Sequence, residues 1–239
     1  MEGNIGFYYS MYIVGFAIMM VFSLMLHRRL EVLKPQAVGF TLVTYVYGVL
    51  GAMIAGKIYT IVATMHGSQN GSRVAIYGAL IFTPIFIFIT ARLIGAEPKR
   101  LLDMLAPGVL VVLLCAKFGC FMFGCCAGRE SKWGIYNKGL GMTVFPVQIF
   151  EVATMLVILV LLMLYMYKAK SRPSGNAYFV MSAAYSFVRF FWEFFRYYDR
   201  PQLRQLALGC SFWQLTSIFV FIVSLSILAV LKFKQKKLN

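Results

Sequence analysis

The chain has 239 residues, of which 61% are hydrophobic and 13% are charged, and its formal net charge is +15. This composition excludes an ordinary soluble protein and indicates a polytopic helical membrane protein. In a soluble protein such a charge would suggest a nucleic acid partner. Here the Lys and Arg residues flank apolar runs, so anionic lipid headgroups are the favoured partner and no nucleic acid is expected.

Seven apolar runs are long enough to cross a bilayer as helices. They lie at about 5–26, 38–64, 74–94, 101–123, 146–167, 176–197 and 206–231. The first run follows an acidic residue and no Lys or Arg, so we expect a retained span and not a cleaved signal peptide. The sequence therefore predicts an all-α fold of seven transmembrane helices in one integral membrane domain, residues 1–239, with a short outer loop at 124–145.

Positive charges between the runs predict the orientation, because cytoplasmic loops of membrane proteins are enriched in Lys and Arg. Twelve such residues follow the first, third, fifth and seventh runs, whereas six lie on the other side. We therefore expect the N-terminus outside and the C-terminus inside. Three cations of the outer loop, Arg129, Lys132 and Lys138, oppose the rule, and a phosphate-bearing lipid of the outer leaflet would explain them.

Two polar residues near helix ends have local interpretations. Tyr77 begins the third run at the predicted outer interface, a depth that Tyr favours in any membrane protein, so both a site role and an interfacial role stay open. Asp103 lies near the start of the fourth run and is predicted to cap that helix.

The end of the fourth run, AKFGCFMFGCCAGR at 116–129, combines glycines, cysteines and cations. Gly119, Gly124 and Gly128 let the backbone bend or approach a ligand, and amides freed there can bind phosphate oxygens. Lys117 and Arg129 would add positive charge. Arg is the better phosphate ligand, because its planar guanidinium can bind through two N–H groups.

Four of the five cysteines cluster in this part of the sequence: Cys115, Cys120, Cys125 and Cys126. Their spacing does not match the paired cysteines of zinc sites and no His is nearby, so we predict no metal and no cofactor. Packing is the simplest role for them. A disulfide at an oxidising outer face and a reactive thiol beside Lys117 or Arg129 stay open.

The sixth run contains YSFVRFFWEFFR at 185–196, which places ionisable side chains at membrane depth. At about 100° per residue, Arg189, Glu193 and Arg196 share one narrow helix face, and Tyr185 joins it one turn earlier. An ionised group in hydrocarbon costs at least about 2.5 kcal/mol, so these groups need partners or a polar cavity. One Glu cannot neutralise two Arg. The face therefore predicts a further anion, either another carboxylate of this chain or a ligand.

Three blocks in order, at 116–129, FPVQIFE at 145–151 and 185–196, resemble the prolipoprotein diacylglyceryl transferase family of bacterial membrane enzymes. YGAL, DMLAP and FWQL extend the resemblance over most of the chain. It implies a seven-helix fold of the plasma membrane with a cavity, open to the outer leaflet, that holds phosphatidylglycerol. It also implies transfer of the diacylglyceryl group to a lipoprotein cysteine, with release of glycerol phosphate.

Most of the motif positions agree with the family and four depart. The matching residues are Gly119, Gly128, Arg129, Pro146, Gln148, Glu151, Arg189, Glu193 and Arg196. Lys117 replaces an Arg, Cys120 an Asn and Cys125 a Glu, and Tyr77 stands in place of a His motif. Tyr hydrogen-bonds, but it is not a base near neutral pH without a large pKa shift. The donor side is therefore better matched than the acceptor side.

The resemblance divides the candidate residues into two groups. Those assigned to catalysis are Arg189, Arg129, Lys117, Glu151 and Tyr77. Those assigned to substrate binding are Arg196, Glu193, Gln148, Gly119, Gly128, Cys120, Cys125, Cys126 and Tyr185. Two alternatives remain: the same fold with a sugar or peptide acceptor, and a non-catalytic phospholipid binder or flippase.

Overall fold

The structure is a computed structural model and describes residues 5–30, 54, 57–58, 61, 76–93, 95, 97–168, 175–198 and 209–238. Six α-helices with defined bounds are α1 (Ile5–Leu30), α2 (Ile76–Leu93), α3 (Pro98–Phe123), α4 (Val147–Lys168), α5 (Asn176–Trp192) and α6 (Phe212–Leu238). Two β-strands, β1 (Glu130–Asn137) and β2 (Met142–Val144), lie between α3 and α4. A 3-10 turn, Glu193–Phe195, follows α5.

Four of these helices, α1, α3, α4 and α6, are long and apolar enough to cross a membrane. The prediction of a mostly helical, polytopic membrane protein is confirmed in this form. The second predicted run, 38–64, lies outside the described residues apart from positions 54, 57, 58 and 61. The sixth run is α-helical only to Trp192 and continues as the 3-10 turn.

Helix α3 is the centre of the fold and contacts α1, α2, α4 and α5. Its packing against α1 is close, because glycines lie in the interface. A Cβ atom at Gly15 would lie 3.1 Å from the Cβ of Cys115, and one at Gly108 would crowd Met19. Small residues permit this approach between membrane helices, whose association depends on van der Waals packing.

Asp103 joins α3 to the start of α5. Its buried carboxylate accepts hydrogen bonds from the backbone N–H groups of Gly175 at 2.9 Å and Ala177 at 2.8 Å. The residue that precedes α3 is Glu97, so the prediction that Asp103 caps its own helix is wrong. Helix α3 starts earlier, at Pro98, which suits a first turn because Pro has no N–H group to leave unpaired.

The segment 124–145, expected only as a loop, contains the two strands. Helix α3 ends at Phe123 and is capped by Gly124, whose φ of 79° is readily adopted by glycine, and Cys126 also has a positive φ of 59°. These two residues reverse the chain direction. Strands β1 and β2 then pair antiparallel, with Tyr136 opposite Thr143.

The residues before β1 tie three helices together. Gly128 N donates to Phe145 O at 3.1 Å, just before α4, and Arg129 N donates to Phe195 O at 2.9 Å, just after α5. A Cβ atom at Gly128 would collide with the Phe145 carbonyl oxygen and lie 3.0 Å from that of Phe195. Glycine is therefore required here by close backbone approach.

Candidate functional site

Glu151 is the centre of a buried group of charges from three helices. Its carboxylate is 1% exposed and lies 2.7 Å from Lys117 Nζ on α3. Arg196 Nη2 donates to both carboxylate oxygens, at 3.0 and 3.1 Å, and Arg189 Nη1 lies 3.2 Å from Oε1. Three cations thus converge on one carboxylate, which fixes α3, α4 and the end of α5 relative to one another.

Glu193 supplies the second carboxylate. It pairs with Arg189, lies 3.6 Å from Arg196 Nε, and accepts a hydrogen bond from the Tyr198 hydroxyl. Burial raises the pKa of Tyr198, so the phenol keeps the proton that it donates. We call Lys117, Glu151, Arg189, Glu193 and Arg196 the ion cluster. Three cations and two carboxylates leave the ion cluster with one positive charge in excess.

Some buried N–H groups of Arg129, Arg189 and Arg196 lack a hydrogen-bond acceptor among the described residues. Within the described part of the chain, Arg129 Nε, Arg189 Nη1 and Arg196 Nε make no hydrogen bond of acceptable geometry. Two of them lie within ion-pair distance of a carboxylate nonetheless. Buried donors without acceptors are costly, so these groups suit an additional anionic ligand.

A chamber of about 300 Å³ lies beside the ion cluster. Glu193 and Arg196 form part of its wall. The other lining residues come from the end of α3, the hairpin, the segment after α5 and the start of α6: Phe123, Gly124, Cys125, Cys126, Ala127, Asn137, Gly139, Leu140, Tyr197, Tyr198 and Trp213. The volume falls at the lower end of the range for small-molecule sites, about 300–1,000 Å³.

Two tyrosines lie together away from the lining. The Tyr77 hydroxyl hydrogen-bonds to Ser217 on α6, and its ring lies 6.1 Å from that of Tyr185. Both rings are 2% exposed. Within the described residues the Tyr185 hydroxyl has no hydrogen-bond partner. Tyr77 therefore lies between helices and does not line the chamber.

Gln148 and Gly119 have structural contacts. Gln148 Nε2 donates to Cys125 O at 2.7 Å, which holds the turn after α3 against α4. Gly119 faces α1, where an added Cβ would lie 3.2 Å from Met11. Gly119 thus allows α1 to pack closely and does not line the chamber.

Three cysteines that are spread over seven positions of sequence meet in space. The thiol sulfurs of Cys120, Cys125 and Cys126 all lie within 4.8 Å of one another, and we call them the thiol cluster. Hydrogen bonds with the other two thiols hold the pKa of Cys126 well below its usual range. All five cysteines are thiols, and Cys115 and Cys210 lie outside the cluster.

Sequence reasoning missed several chamber residues. Tyr198 lies two residues beyond the predicted charged face, and its contact with Glu193 has no local sequence signal. Asn137, at the end of β1, donates to Gly124 O at 2.8 Å and follows from the hairpin that was not predicted. Trp213 lies in the FWQL motif, which was noted without a role.

Comparison with known proteins relates this chain to one family of membrane enzymes. The family model described as prolipoprotein diacylglyceryl transferase matches residues 2–230. The phosphatidylglycerol–prolipoprotein diacylglyceryl transferase of Clostridium tetani is 24% identical over 206 residues, which cover 80% of each chain. The protein of the same name from Oleidesulfovibrio alaskensis is 32% identical over 225 residues, 86% of this chain and 80% of that one. The protein named as enzyme 2 from Clostridium perfringens is 27% identical, over 82% of this chain and 79% of its own.

The family match covers nearly the whole chain, including the three blocks that build the ion cluster and the chamber. The chain belongs to the prolipoprotein diacylglyceryl transferase family.

Proposed function

We propose that this protein is a membrane transferase that moves the diacylglyceryl group of phosphatidylglycerol to a prolipoprotein cysteine and releases glycerol phosphate. The names of its relatives supply both substrates. The observation that carries the proposal is the excess positive charge of the ion cluster at the wall of a chamber.

The cations act on the leaving group. When the bond between the glyceryl carbon and the phosphate oxygen breaks, the departing phosphate gains negative charge. Fixed donors aimed at developing charge lower the barrier most, because they need no reorganisation during the reaction. Arg196 lines the chamber, and Arg189 pairs with Glu193 of the chamber wall. Lys117 and Arg129 are proposed to support them.

Glu151 is proposed as a positioning residue and not as the acceptor of the thiol proton. Protonation would disrupt its ion pairs with Lys117, Arg189 and Arg196 at once. Glu193 has the same role toward Arg189, with Tyr198 as an added support. Gln148 holds the Cys125 turn at the chamber wall.

The proposed topology is seven spans in a single unit, residues 1–239, with the N-terminus outside and the C-terminus inside the plasma membrane. It places the chamber toward the outer leaflet. The distribution of Lys and Arg supports this orientation. Fusions to the C-terminus test it: a fused fluorescent protein should mature in the cytoplasm, and a fused alkaline phosphatase should be inactive. The opposite pair of results contradicts the topology.

Turnover tests the activity. Purified protein is incubated with labelled phosphatidylglycerol and a lipobox peptide, and thioether product and glycerol phosphate are measured. Arg196→Ala should lower the rate on the order of 100-fold. The matched control is Arg100→Ala, because Arg100 lies in the first turn of α3, outside the ion cluster, where it forms an ion pair with Glu97.

The substrate controls distinguish the alternatives. A peptide with Ser in place of the lipobox Cys should give no product. Transfer to a sugar or another peptide group would contradict the proposed acceptor. Movement of labelled lipid across vesicles without release of glycerol phosphate would contradict the transferase and support a flippase.

A further inference from the structure

The thiol cluster has the geometry of a metal site that the spacing in the sequence did not predict. Cys120 lies in the last turn of α3. The positive φ angles of Gly124 and Cys126 reverse the chain direction after the helix, so that the three sulfurs lie within 4.8 Å of one another. In tetrahedral zinc sites each Zn–S bond is about 2.3 Å, which puts the ligand sulfurs about 3.8 Å apart. Adjustments of about 1 Å would therefore close the cluster on one ion.

The cluster lies at the wall of the chamber. Cys125 and Cys126 line the chamber, whereas Cys120 is buried and is not among the lining residues. Zinc sites with three protein ligands keep a fourth position for a substrate or water. A disulfide would use only two of the three sulfurs, and the adjacent Cys125 and Cys126 are poorly placed to bond to each other.

We propose that Cys120, Cys125 and Cys126 bind one Zn²⁺ ion, and that its fourth position accepts the thiol of the acceptor cysteine in the chamber. The second half of this proposal rests on the proposed transferase function, and the first half does not.

The local charges suit this ion. Three thiolates and Zn²⁺ carry one net negative charge, which is costly to bury alone. Cys126 lies within electrostatic reach of Arg196 and Lys117, members of a cluster with one positive charge in excess. These nearby cations lower the cost of burying the charge of the metal site.

The metal would activate the acceptor thiol as a nucleophile. Such activation is needed because Glu151 and Glu193 are held in ion pairs and do not serve as the base. The acceptor R–SH loses its proton to solvent on coordination, because a metal-bound thiol is deprotonated. The thiolate sulfur forms a bond to the glyceryl carbon of the donor as the bond from that carbon to the phosphate oxygen breaks. The electron pair leaves with the phosphate, so the products are a thioether, glycerol phosphate and one proton, and nothing is oxidised or reduced.

Metal content is the first test. The full-length protein, purified with a phosphine reductant, is stripped with a chelator, reloaded with Zn²⁺ or Co²⁺ and analysed by mass spectrometry. We expect about one ion per chain, and Co²⁺ should show thiolate-to-metal absorption. Cys120→Ser, Cys125→Ser and Cys126→Ser should each weaken binding by at least about 100-fold. Cys115→Ser and Cys210→Ser are matched controls that should keep the ion, since both thiols lie outside the cluster.

The wild-type measurement does not depend on the folding of any variant. Absence of bound Zn²⁺ in the reduced wild-type protein overturns the site, and so does a disulfide between two of the three cysteines in protein purified without reductant. Binding of Cu⁺ with no binding of Zn²⁺ also overturns it.

Addition of a lipobox peptide tests the fourth position. The absorption of the Co²⁺ protein should change with the Cys peptide and not with its Ser analogue. An unchanged spectrum overturns acceptor coordination. A changed spectrum without any transfer from phosphatidylglycerol contradicts the proposed function and leaves the metal site standing. Transfer at the wild-type rate in metal-free protein overturns the role of the metal and leaves the function standing.

Discussion

Lys117 Nζ lies 2.7 Å from Glu151 Oε2, and this contact joins α3 to α4 inside the membrane domain. The same carboxylate holds Arg196 through both oxygens. Glu151 on α4 is thus the common partner of cations from α3 and from the end of α5. The ion cluster is a single electrostatic unit, and changes to its members will not act independently.

Glu151→Ala should destabilise the protein strongly, because it removes the carboxylate that three buried cations share. Breaking a buried ion pair by removing one partner costs about 3–5 kcal/mol. Thermal unfolding in detergent measures the effect. Glu130→Ala, at an exposed position of β1, is the control and should leave the unfolding temperature unchanged. Equal stability of the two variants would contradict a central role for Glu151.

Arg196→Lys should lower transfer activity even though the charge is kept. A Lys side chain has no planar fork, so it cannot reach both Glu151 oxygens and Glu193 as the guanidinium does. We expect a loss of about 10-fold or more in turnover, measured as glycerol phosphate released. Lys117→Arg is the complementary variant: it keeps the charge and adds a fork. Full activity in Arg196→Lys would show that only the charge matters.

Tyr198→Phe should remove a hydrogen bond that positions the Glu193 carboxylate. The hydroxyl donates to this buried carboxylate, and hydrogen bonds to charged groups contribute about 1.5–3 kcal/mol. The unfolding temperature and the Michaelis constant for phosphatidylglycerol are the measurements. Tyr136→Phe removes a hydroxyl from a side chain that is 58% exposed and serves as the control. The same behaviour in both variants would rule out this support of the ion cluster.

Gly128→Ala should displace the segment that ties α4 to the end of α5. The added Cβ atom would collide with the Phe145 carbonyl oxygen, and both neighbours are backbone atoms that cannot rotate away. Overpacking of this kind costs about 1–3 kcal/mol. Lower yield of folded protein and lower activity are expected, whereas Lys132→Ala, exposed on β1, should affect neither. A Gly128→Ala protein with normal stability would mean that the hairpin shifts freely.

The charged face of the sixth run shows how far the sequence reached. Helical periodicity put Arg189, Glu193 and Arg196 together, and a simple charge count required a further anion. The partner turned out to be a carboxylate of another helix, Glu151, which the resemblance had assigned to catalysis. The choice between a carboxylate of this chain and a bound ligand depended on the rotation of α4 against α5, which brings Glu151 to the two arginines.

The sequence by itself determined the helical membrane class, the approximate bounds of the described helices and the residues that carry charge into the membrane, because hydrophobic run length and the period of a helix are local properties. Only the tertiary structure decided that Asp103 caps α5, that Glu151 collects three cations and that three cysteines meet beside a chamber. Each of these contacts joins separate elements or follows a reversal of the chain at positive φ. Such contacts depend on the packing of whole helices, which no local spacing of residues encodes.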